Sequence, residues 1–181
     1  MLPLFRLAAV AASALALSGC ATMNVSSHFQ RDIDFARYHT YDWGPADALP
    51  TGDPRLDANP FFKDHVQGEV EKAMAARGLE LVTSRPPDLL IHYHANISQR
   101  IDVNRVDRQY GYCYEGDCDV RVVEYEAGTL VLDVVDTRTN RVIWRGWAQD
   151  SVEGVLDNED RMARQIHEAV TRMMERFPRT F

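Results

Sequence analysis

The stretch "GTLVLDVVDTRTNRVIWRGWAQ", residues 128–149, decides the fold. Two runs rich in β-branched and aromatic residues, 128–136 and 141–149, flank "TRTN", a composition suited to a hairpin turn. Side chains alternate between faces along a strand, so Val142, Trp144 and Gly146 are expected on one face and Ile143, Arg145 and Trp147 on the other. Large apolar groups on both faces predict a hairpin inside a sheet, covered on at least one side. Asp133 and Asp136 stand three positions apart and so point to opposite faces. That excludes the facing pair of carboxyls that glycoside hydrolysis requires. Asp136 is expected instead to start the turn through its side chain.

Upstream of this hairpin, "DLLIHYHANI" (88–97) reads as another strand, with Leu90, His92, His94 and Asn96 on one face. Two imidazoles at i and i+2 can ligate a metal, but zinc sites need three or four ligands. His28, His39, His65 and His167 are scattered over other elements, so the pair is read as a polar strand face and no metal is expected. Before it come a strand at "NVSSHF", where Val25, Ser27 and Phe29 alternate, a single turn at "DFARY", a β-forming "HTYDW" and a short strand at "LELV". Residues 44–60, with four Pro, two Gly and several Asp, read as a loop.

Two helices complete the pattern. The first has Asn59 as N-cap, Pro60 in the first helical position, Gly78 beyond its end, and a stripe of Phe62, Val66, Val70, Ala73 and Met74. The second, about residues 159–177, carries Met162, Ile166, Val170, Met173 and Phe177 on one face before Pro178. The order of elements predicts an α+β domain: a mostly antiparallel sheet with two amphipathic helices packed on it.

The first residues are a separate object. Arg6 precedes "LAAVAASALAL" (7–17), an apolar run too short to span a bilayer, and "LSGC" follows at 17–20. This is an export signal ending in a lipobox. Residues 1–19 are expected to be removed and Cys20 to be lipidated, leaving 20–181 as one lipid-anchored domain facing the periplasm. Ala21, by similarity to enterobacterial lipoproteins, favours the outer membrane. Several acyl chains on one cysteine would give firm anchoring, since a single chain binds only reversibly. Loss of Arg6 takes the net charge from −7 to −8. An acidic domain excludes nucleic-acid binding, which needs a basic face, and offers no polybasic patch to anionic lipid.

Residues 98–123, "SQRIDVNRVDRQYGYCYEGDCDVRVV", are polar and tyrosine-rich and read as an extended loop or a long hairpin excursion. Cys113 and Cys118 are two cysteines of an exported chain and are expected to form a disulfide. Tyr110, Tyr112 and Tyr114 are candidates for a binding loop, because excursions on rigid sheets often carry function. Trp43, Trp144 and Trp147 are expected to pack in the core or on a sheet face. No serine-hydrolase elbow, phosphate-binding glycine loop or zinc-protease helix occurs, so no catalytic residue and no cofactor is expected.

The residues 128–148, with "PDLLIHYH" (87–94) and "DFARYHTYDW" (34–43), resemble the domain-of-unknown-function 4136 family of bacterial lipoproteins. The likeness spans nearly the whole mature chain, although that pattern does not demand the cysteine pair. A looser similarity is to the amino-terminal domain of the TolB translocation protein. The resemblance implies an envelope lipoprotein and no specific activity. The expected function is therefore a non-enzymatic interaction or maintenance module, with an envelope protein or a peptidoglycan-associated partner. The alternative is a periplasmic protein that binds a small molecule or lipid between sheet and helices.

Overall fold

In the computed structural model, residues 23–45, 53–102 and 123–178 are described. Six strands form one sheet: β1 (Asn24–Phe29), β2 (Thr40–Trp43), β3 (Glu80–Leu81), β4 (Leu89–Asp102), β5 (Val123–Asp136) and β6 (Arg141–Ser151), in the order β1-β6-β5-β4-β2-β3. The helices among the described residues are α1 (Pro54–Asp57), α2 (Phe62–Ala75) and α3 (Glu159–Met174), and a 3₁₀ turn covers Phe35–Arg37.

The chain is an α+β domain, but its sheet is mixed rather than mostly antiparallel. β1, β6, β5 and β4 pair antiparallel, whereas β2 runs parallel to both β3 and β4. The cause is the helical crossover between β2 and β3: a chain that leaves a sheet through a helix can return in the same direction, which a tight turn cannot do. The stretch 44–60 is also more than a loop, since its described end forms α1, with Asp53 accepting from Arg55 N and Pro54 in the first turn. β4 runs on to Asp102 and β5 starts at Val123, so the ends of the 98–123 region form a long hairpin. Ile101 is exposed there.

α3 starts at its side-chain N-cap, Asn158, whereas α2 begins at Phe62 with Phe61 as N-cap and no side-chain bond there, so the expected N-cap Asn59 and first helical residue Pro60 lie in the turn before it. Asn59 Oδ1 accepts from Phe61 N and Phe62 N, Asn158 Oδ1 accepts from Arg161 N, and Gly78 takes φ +75° after α2. Phe62, Val66, Val70 and Met74 of α2 and Met162, Ile166, Val170 and Met173 of α3 are buried against one sheet face. That face presents Leu89, Ile91, Tyr93 and Ala95 from β4, Leu130, Leu132 and Val134 from β5, and Trp144 and Ala148 from β6. Trp144 lies across Gly146, where a Cβ would come within 2.3 Å of the indole, and stacks edge-on to Phe177.

Alternation along β6 fails at one point. A bulge between Val134 and Val135 makes Trp144 pair with Val134 and Val142 with Val135, leaving Ile143 as the extra residue. Ile143 and Trp144 therefore both join the core, and Val142 turns outward instead of sharing Trp144's face. At the hairpin turn, Asp136 Oδ1 accepts from Arg138 N and Thr139 N, and Asn140 takes φ 54°, a left-handed conformation that asparagine tolerates.

Candidate functional site

The helices occupy one face of the sheet; among the described residues no helix covers the other. On this second face β4 presents Leu90, His92, His94 and Asn96, facing Val135, Asp133, Val131 and Thr129 of β5 across the ladder. β6 adds Arg145, Trp147 and Gln149. Trp147 is 39% exposed, whereas Trp144, three positions earlier, is 1% exposed.

The charges on this face are largely matched. Arg145 grips Asp133 through two bonds, Nε to Oδ1 at 2.5 Å and Nη2 to Oδ2 at 2.6 Å. The carboxylate of Asp133 is buried and the guanidinium keeps one side in solvent. Such a fork-on-fork pair fixes both side chains. His92 stands directly opposite Asp133, and its imidazole lies over Gly44, at 2.2 Å from where a Cβ would sit. Only glycine there leaves room for the ring. Burial pushes the His92 imidazole below its ordinary value; Asp133 pulls it back up and His94 lowers it further. Among the described residues no three His, Cys, Asp or Glu side chains gather as a metal group.

On the helix side lies an apolar cleft of about 80 Å³. Leu56 of α1, Phe62 of α2, Met162 and Ile166 of α3 and Leu156 of the connection before it form its outer wall, over a floor of Ala95, Leu130 and Ala148. Met23, the first described residue, is buried and lines the same cleft.

A third cluster holds the opposite end of the sheet together. Asp136, 2% exposed, accepts from Tyr38 Oη at 2.7 Å and Arg37 Nη2 at 2.7 Å besides its two turn amides. Burial raises the Asp136 carboxyl, but these four donors outweigh it and hold the group below the usual carboxylate range. Asp88 does similar work beside it, accepting from His39 N and Thr40 N while its own N–H donates to Thr40 Oγ1. Asp133 and Asp136 do lie apart, each committed to its own arginine.

The structure brings His92, His94, Asp133, Arg145 and Trp147 to one face. Sequence reasoning had no signal for the Arg145–Asp133 grip or the Tyr38–Asp136 bond, which links residues 98 positions apart. Cys20, Cys113, Cys118, Tyr110, Tyr112 and Tyr114 lie outside the described residues.

The class of molecule this defines is an α+β domain with a six-stranded mixed sheet, helices on one face and, among the described residues, none on the other. The model of the family described as "Domain of unknown function (DUF4136)" matches residues 25–179, and the chain belongs to that family. No curated protein matches it. A PDZ domain protein from Parabacteroides distasonis shares the fold at 14% identity and TM-score 0.56, covering 87% of this chain and 36% of that one. This chain thus spans little more than a third of that neighbour. A DUF4136 family protein from Bacteroides thetaiotaomicron is similar at 12% identity and TM-score 0.48, covering 83% of this chain and 95% of its own. The PelC dodecamer from Paraburkholderia phytofirmans is similar at 6% identity and TM-score 0.48, covering 84% and 95%. These matches lend no support to the looser TolB likeness.

Proposed function

We propose that this chain is a lipid-anchored, non-enzymatic module of the bacterial envelope, held at the periplasmic face of the outer membrane through Cys20. The observation that carries the proposal is "LSGC" at 17–20 behind an eleven-residue apolar run and a single arginine. Supporting it, the two best-placed carboxylates are tied up by Arg37 and Arg145, and the bare sheet face mixes apolar, aromatic and imidazole groups. Such a surface suits contact with another envelope component better than turnover of a substrate. The partner proposed is an envelope protein or a peptidoglycan-associated one.

In-cell crosslinking with mass spectrometry tests this reading. The wild-type chain should give adducts that weaken both in a 104–118 deletion and in Trp147→Ala, with all three proteins folded. An identical adduct profile in the three would contradict it. A second reading, binding of a small molecule between sheet and helices, draws on the apolar cleft. At about 80 Å³ the cleft is well short of the roughly 300–1,000 Å³ of ordinary ligand sites, which makes that reading the weaker one.

A further inference from the structure

The cleft is apolar, partly open, and too small for a whole ligand; what sets it apart is its position. Met23 lines it, and Cys20 precedes Met23 by three residues. Three residues reach at most about 10 Å even when fully extended. A lipid carried by Cys20 therefore starts within about 10 Å of an apolar slot in the same molecule.

We infer that the cleft receives a segment of one acyl chain attached to this chain's own Cys20. The inference rests on the anchor at Cys20 proposed above. The chemistry of the slot selects hydrocarbon. Leu56, Phe62, Leu130, Leu156, Met162 and Ile166 dominate its walls, and although Asn96, Thr129, Asp150 and Gln165 also border it, the surface they leave open is almost wholly apolar. The rim argues against a separate membrane phospholipid as the occupant. Glu153, Asp157, Glu159 and Asp160 are all exposed around the loop that closes the cleft and the start of α3, and outnumber the exposed Arg161 beside them. Their negative charge repels the anionic headgroups that a membrane-inserted mouth would have to meet. A tethered chain needs no such approach, because its concentration at the slot is set by a short linker. Size limits what enters. A cavity of roughly 150 Å³ accommodates one benzene ring, so this cleft holds part of one chain while the rest stays in the bilayer.

The test uses the full chain in cells that lipidate it. A leucine-sized diazirine side chain replaces Leu156 in one protein and, as a control, exposed Val142 at the far end of β6 in another. After irradiation, digestion and mass spectrometry, the peptide containing position 156 should be joined to the acylated Cys20 peptide, and the peptide containing position 142 should not. Acylated Cys20 without that adduct, or position 156 joined to free phospholipid instead, would overturn the inference while leaving the anchor intact. A mature chain whose Cys20 carries no lipid would overturn the anchor and the inference together. The mass of the N-terminal peptide tells these failures apart.

Discussion

The two faces of the sheet are built from the same strands and differ in almost everything else. On the helix side Leu89, Ile91, Leu132, Val134 and Trp144 are almost wholly buried and their neighbours are apolar. On the other side Leu90, His92, His94 and Val131 are half-buried, Trp147 and Arg145 are exposed, and Arg145 is closely paired with Asp133. One face supplies the folding energy; the other is free to vary with what it meets. The difference teaches that strand alternation in β4, β5 and β6 encodes two separate jobs, and the experiments below are aimed at separating them.

The largest effect should come from the helix side. Trp144→Ala removes the biggest fully buried side chain and its ring contact with Phe177, and should cost about 3–5 kcal/mol in denaturant unfolding. Next comes Asp136→Ala. It strands the Tyr38 hydroxyl and two turn amides, for a loss of about 3 kcal/mol near neutral pH. Because the folded Asp136 carboxyl is held below its usual range, its stabilisation is complete above the unfolded value of about 3.9 and is lost as pH falls through the folded one. Acid titration of stability should therefore be shallower below about pH 4 in Asp136→Asn than in the parent. Gly146→Ala drives a methyl into the Trp144 ring, which is packed on all sides, and should cost about 1–3 kcal/mol.

On the bare face the effects shrink. Burial lowers the folded His92 imidazole, so its contribution to stability is present above about pH 6.5 and fades as pH falls below that. His92→Gln should flatten the stability profile in that window and leave it unchanged at pH 8. An unaltered slope would mean that His92 titrates alike folded and unfolded.

These contrasts also mark what the sequence made legible. The β5–β6 hairpin and both long helices follow from local spacing, and Asp136 follows from turn chemistry, so all were readable from residues 128–149 and the two apolar stripes. The parallel placement of β2 was not, because four residues carry no record of which neighbour they join or in which direction. Nor was the bulge at Ile143: in "RVIWRGW" the run of apolar residues fits either alternation, and burial of both Ile143 and Trp144 is decided by tertiary packing. Of the bare face, His92 and His94 were visible as a pair, whereas Arg145 and Asp133 became partners only through strand register. A pocket between sheet and helices was named only as an alternative, and its lining was not legible, since Met23, Leu56 and Ile166 meet only in three dimensions.

The separation of the two faces stands or falls on Trp147→Ala. Its unfolding free energy in denaturant should lie within about 0.5 kcal/mol of the parent, as for ordinary surface substitutions, although the residue lost is as large as Trp144. A loss comparable to that of Trp144→Ala would contradict the account, because the second face would then belong to the core.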